Sequence, residues 1–128
     1  MTAVITSISA NAQTGKTTLE QTIYQFVNAI SDRDIHGMHY LLHEKFQSVE
    51  KPGILSKSEY MKMLGERKLG GTELQSDIIS VDLGETSASI KVRIAGGSEW
   101  AELFVHLCKN DLGSWQILHV LPYINEKV

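Results

Sequence analysis

Glu50 and His106 are the two residues of this 128-residue chain best suited to moving a proton. Glu50 alternates with Phe46 and Ser48 in a strand-like run. If Phe46 is core, the carboxylate turns toward the helices, and partial desolvation raises its proton affinity. His106 alternates with Trp100, Glu102, Phe104 and Cys108, so a pocket-facing Phe104 carries the imidazole into the same space. An acid and an imidazole converging on one ligand is the arrangement general acid-base chemistry uses. The competing reading is a rim carboxylate and a hydrogen-bonded core histidine, because polar groups in pockets more often bind than react.

Two other patterns invite chemistry and are explained without it. His36, His39 and His43 recur at helical spacing but lie well round from the stripe of Ile35, Met38, Leu41 and Leu42. A solvated helix face accounts for them, and no metal or cofactor is expected. The run Ala10-Asn11-Ala12-Gln13-Thr14-Gly15-Lys16-Thr17 fits a relaxed phosphate-loop spelling. Its first glycine is replaced by Ala10, and no alternation of strands and crossover helices follows, as nucleotide folds of that kind require.

The elements that must position Glu50 and His106 read as three helices and then a meander. Residues 1–16 are small and polar and form a flexible arm, and residues 17–128 form one domain. Thr17 and Glu20 have capping-box spacing, and Leu19, Ile23, Phe26, Val27 and Ile30 share a helical face to about Ile30. Ser31, Asp32 and Asp34 offer the next cap, before the stripe of Ile35, Met38, Leu41 and Leu42. A short strand covers 46–51 and ends at Pro52-Gly53. Ser56 and Glu59 open a third helix that buries Tyr60, Met61 and Leu64 and stops at Gly70-Gly71.

Four strands follow, over 73–83, 86–94, 98–109 and from Trp115 to about Tyr123. Ile79, Val81 and Leu83 are expected on one face of the first, and Ala88, Ile90, Val92 and Ile94 alternate with polar residues in the second. Strand 98–109 is apolar on both faces, and helices cover only one. The convex face is therefore expected to meet a second subunit in a homodimer.

Bulk properties remove several alternatives. A chain of this length buries a single core, and 42% hydrophobic with 21% charged residues is the composition of a folded domain. Net charge is −3 with scattered lysines and arginines, so the basic stripe needed for nucleic acid is missing. Cys108 is the only cysteine and forms no internal disulfide, which fits a reducing compartment. The patch from Thr2 to Ile8 is too short, and lacks the preceding basic residue, for a signal peptide, and no run reaches membrane-span length. A cytoplasmic location is expected by elimination.

The run from Phe26 to Met38, with Leu41-Leu42-His43 and the strand at Phe46, resembles the opening of the nuclear transport factor 2-like superfamily. Ile54 to Tyr60, Asp77 to Asp82 and Trp115 to Leu118 resemble the matching parts of its lumazine-binding-like and SnoaL-like members. The resemblance implies an α+β fold, three N-terminal helices packed on a strongly curved antiparallel sheet, a cystatin-like cone with an internal pocket. By position, Glu50 falls where ketosteroid isomerases place their base, His106 where those enzymes and the cyclases place an aspartate, and Phe26 where the steroid enzymes place a tyrosine.

The expected function is binding of a small molecule in an apolar pocket lined by Phe26, Tyr40, Leu64, Trp100, Glu102, Phe104 and His106, with Glu50 at its mouth or wall. An isomerase or lyase of an apolar carbonyl compound would use Glu50 as base and His106 as donor to the developing oxyanion. A non-catalytic dimeric adaptor would instead fill its interior with its own aromatics and expose an apolar patch elsewhere.

Overall fold

The first helix shows the pattern read from sequence most directly. In this computed structural model, which describes residues 18–50, 53–66, 73–96 and 99–127, helix α1 covers 18–32. Leu19, Ile23, Phe26, Val27 and Ile30 are all buried, as one face of a helix requires. The arm 1–16, the phosphate-loop spelling and the cap at Thr17 lie outside the described residues. The chain leaves α1 through Arg33 at a left-handed φ of 51°, with the amide of Asp34 donating to the Ala29 carbonyl at 2.9 Å.

Asp34 then caps α2 (Ile35–Leu41) by accepting from the Gly37 amide at 3.0 Å. A Cβ at position 37 would meet the Asp34 carboxylate, so any other residue there would need that cap to shift. Helix α3 (Lys57–Gly65) opens with the full capping box, Ser56 Oγ accepting from the Glu59 amide and Glu59 Oε1 from the Ser56 amide. The expected stop at Gly70-Gly71 falls outside the described residues, and the described helix ends at Gly65. No described helix is long and apolar enough to cross a membrane.

Strand β1 (Leu42–Glu50) begins earlier than the expected Phe46, because Leu42, the residue that caps α2, is already extended. The hairpin partner β2 (Gly53–Ser56) has no counterpart in the sequence reading. It pairs from Gln47↔Ser56 to Glu50↔Gly53. The meander is β3 (Gln75–Leu83), β4 (Ser87–Gly96), β5 (Glu99–Lys109) and β6 (Trp115–Lys127). Together they form one open sheet in the order β2-β1-β6-β5-β4-β3. The β1–β6 contact is parallel, so the sheet is mixed where an antiparallel one was expected. Parallel neighbours need a long crossover, and everything between β1 and β6 provides it.

The faces of the sheet follow from β4 and β5, which pair without a break from Ser87↔Cys108 to Gly96↔Glu99. One face carries Ala88, Ile90 and Val92 against Leu107, Val105 and Leu103, all buried. These join Leu19, Ile23, Phe26, Met38 and Leu64 of the helices in one core cluster. Within that core Tyr60 packs between two phenylalanines, its ring centroid 6.4 Å from Phe26 and 5.1 Å from Phe46. Such ring pairs contribute about 0.5–1.5 kcal/mol each beyond area burial.

Irregularities fall in β3, in β6 and in β1 between Leu42 and Gln47. Ile79 falls at the register shift between Ile78 and Ser80 and is 48% exposed, so Ile78 takes the inward place expected for it. In β6 the pairing steps from His106↔His119 to Leu107↔Ile117, and from Glu102↔Ile124 to Leu103↔Pro122. Leu118 and Tyr123 are the extra residues of two bulges, which bend the strand and raise its twist.

Candidate functional site

Glu50 ends β1 two positions after Ser48 in a regular ladder, so the two share a face of the strand. Ser48 is fully buried and alternates with Phe46, whose ring packs on Tyr60 of α3, so this is the helix side. His106 stands on the other side of the sheet. Its strand neighbours Val105 and Leu107 point into the helix-side core, and alternation sends the imidazole outward. The backbone therefore sets positions 50 and 106 on opposite faces of the sheet.

The same alternation divides the expected pocket lining. Phe26 and Leu64 are core residues, whereas Trp100, Glu102, Phe104 and His106 occupy the outer face. The sequence reading took Phe104 as inward. The strip Leu103, Val105, Leu107 instead matches Val92, Ile90 and Ala88 across the ladder, and a period of two leaves Phe104 outside. Phe104 is 37% exposed, with Lys91 Nζ 5.4 Å from its ring centroid. Tyr40 is 66% exposed on α2, flanked edge-on by His36 and His39 at 5.3 Å each. His43 has passed into β1, where its Nδ1 accepts from the Lys45 amide.

Glu102 is buried on the outer face and already satisfied, accepting a 2.7 Å hydrogen bond from Arg93 Nη2. The Arg93 guanidinium also lies 4.6 Å from the Trp100 ring. A carboxylate held in this way positions a cation and an indole more readily than it acts as a base.

On the helix side, burial falls off along the strands. The row of Ala88 and Leu107 and the row of Ile90 and Val105 are buried, whereas Ile94 and its partner Ala101 are half-buried, as are Ile78 and Leu74 against the same core. The Leu74 amide donates to Ser31 Oγ at 3.1 Å, tying this end to α1. The parallel pairing Ser48↔Val120 directs the end of β1, and Glu50 with it, toward this half-covered end.

Two residues of interest escaped the sequence reading. Lys57 Nζ donates to the carbonyls of His39 and Leu42 at 2.8 and 3.0 Å, closing the C-terminal end of α2 where carbonyls lack helical partners. Burial pushes its ammonium below the usual lysine range, with Glu44 pulling the other way. The helix reading of Lys57 gave no sign of a partner across the chain. His119 faces His106 across the β5–β6 ladder, ring centroids 5.9 Å apart with planes at 74°. The bulge at Leu118 sets that register, and no local pattern announces it. Among the described residues no group of three or more His, Cys, Asp or Glu could hold a metal.

No protein-family profile matches the sequence, and no curated protein gives a significant match. Solved structures do. A nuclear transport factor 2-like protein of unknown function from Silicibacter pomeroyi superposes with a TM-score of 0.75 at 18% identity, covering 88% of this chain and 98% of that one. A candidate scytalone dehydratase from Novosphingobium aromaticivorans gives 0.75 at 14% identity, covering 94% and 91%. A candidate ketosteroid isomerase from Shewanella frigidimarina gives 0.66 at 18% identity, covering 83% and 94%. The chain therefore has the nuclear transport factor 2-like fold, an α+β cone of three helices on an open, mixed six-stranded sheet.

Proposed function

We propose that this chain binds a small apolar molecule on the helix-side face of the sheet, against Leu74, Ile78, Ile94 and Ala101. The observation that carries this reading is the fall in burial along that face, from Leu107 at 1% exposed to the half-buried pair Ile94 and Ala101. Apolar concavities with a few polar groups are where small ligands bind. Ser76 pairs with Ile94 and Asn125 with Ala101, so these are the polar positions of that row, and β1 ends at Glu50 short of it. Two neighbours of this fold bear the names of enzymes, which favours a ligand in the interior. With His106 on the other face, an isomerase or lyase keeps Glu50 as base but loses its proposed donor, so binding stands ahead of turnover.

The experiment is a thermal-shift screen against a metabolite library rich in apolar carbonyl compounds, followed by Ala101→Trp. A ligand present at a hundred times its Kd stabilises the folded state by about 2.7 kcal/mol. The reading expects compounds that raise the melting point of the native chain and lose that effect in Ala101→Trp. A library without such compounds, or shifts indifferent to Ala101→Trp, would overturn it.

A second reading concerns association, and the outer face favours it. Ile54 and Val49 pair across β1–β2 and are 60% and 41% exposed, while Phe104 pairs with Leu121 across β5–β6. A two-fold axis matches such a row to itself, so a second copy of this chain is the partner it fits. Sedimentation velocity should show a dimer, and a monomer at all concentrations would remove this reading.

A further inference from the structure

His106 and His119 are the pair of imidazoles that the topology sets side by side on the outer face. They are directly opposed in the β5–β6 ladder, both half-buried, with ring centroids 5.9 Å apart and planes at 74°. Gln47 and Ser89 flank them in the same row, so no formal charge adjoins the pair within it. Among the described residues neither imidazole has a hydrogen bond, so their ring nitrogens are free to face a ligand. Lys91 and Arg93, the cations of the neighbouring rows, are occupied by Phe104 and Glu102.

We propose that His106 and His119 form half of a binding site for a divalent first-row transition-metal ion such as zinc. The same pair from a second copy, joined outer face to outer face, completes four imidazoles around the ion. Zinc sits about 2.0–2.1 Å from each imidazole nitrogen in a tetrahedral shell, which places the centroids of two ligand rings roughly 5 to 6 Å apart. The observed separation meets that requirement without moving a strand. One chain offers two ligands, too few for a closed tetrahedral site, and a two-fold axis through the row doubles them. The site thus rests on the dimer proposed above and deepens it. The metal would be held between subunits and would strengthen the dimer by preferring it to the monomer.

The test uses the full chain stripped with EDTA and titrated with zinc in a calorimeter, alongside sedimentation velocity with and without zinc. His119→Gln is the informative variant, and His36→Gln, on the surface of α2, is the control. The expected result is one ion per two chains, with the dimer tightened about tenfold or more by saturating zinc. His119→Gln should lose both effects while its circular dichroism and melting point in EDTA remain those of a folded chain, and His36→Gln should keep both. Zinc binding unchanged in His119→Gln, or one ion per chain with no effect on association, would overturn the shared site. A dimer in EDTA that does not bind zinc sinks the metal site and leaves the dimer standing. A chain that remains monomeric in both conditions sinks the dimer, and the shared site with it.

Discussion

Glu50 and His106 occupy positions on opposite faces of one sheet, fixed by the regular β1–β2 and β4–β5 ladders. Residues that share no partner and no ligand have additive effects when mutated. Glu50→Gln and His106→Gln are therefore expected to combine with a coupling energy within about 0.5 kcal/mol of zero, in both stability and ligand binding. Chemical denaturation of the two single variants and the double variant measures this. A coupling of 1 kcal/mol or more would mean that the two groups meet through one ligand after all.

Phe104 and Leu107 separate folding from association on a single strand. Leu107 is 1% exposed on the helix side, and Leu107→Ala should cost about 3 kcal/mol through lost burial and the cavity left behind. That corresponds to a fall of roughly 10 °C in melting temperature for a domain of this size. Phe104→Ala, on the outer face, should leave the chain's own stability within about 1 kcal/mol of the native value and weaken the dimer instead. Melting curves at low and high protein concentration distinguish the two. A large, concentration-independent loss in Phe104→Ala would place that ring in the core.

These two residues also show what the sequence could and could not reveal. The three helices were readable because Ser56 with Glu59, and the stripe from Leu19 to Ile30, are local signals that secondary structure alone satisfies. Strand β5 carries apolar residues on both faces, so periodicity established that it was a strand without saying which face met the helices. Only its pairing with β4, whose outward residues are polar, decides that, and the decision moved Phe104, His106 and Trp100 out of the expected pocket. The facing of His106 and His119 depends on a bulge at Leu118, a long-range register with no local signature. Strand β2 was missed because four residues after a Pro-Gly turn carry too little pattern to separate a strand from a loop.

The capping box of α3 makes an acid-side prediction. Glu59 is held below the usual carboxylate range by its hydrogen bonds with Ser56, first through the backbone amide. A depressed carboxylate contributes stability that is present above its unfolded value and lost as pH falls through its folded value. Glu59→Gln should therefore flatten the loss of stability between about pH 5 and pH 3 relative to the native chain. Ser56→Ala removes the other half of the box and should cost about 1 kcal/mol at neutral pH. Urea unfolding at a series of pH values checks both, and an acid limb of unchanged slope in Glu59→Gln would show that the box is not closed in solution.

Cys108 tests the outer face by its reactivity. The thiol lies in the same face as His106, between Ser87 and Gln116, and burial pushes its pKa up. The thiolate is the nucleophile, so a raised pKa lowers the reactive fraction at any pH below it. Alkylation by iodoacetamide at pH 8 should be several-fold slower in the folded chain than in urea. Its pH profile should have a midpoint above the ordinary thiol value of about 8.5. Dilution should accelerate the reaction if a second copy covers this face, because the monomer exposes the sulfur that the dimer buries. A rate independent of concentration, with the midpoint still raised, would assign the protection to the chain's own packing and not to a partner.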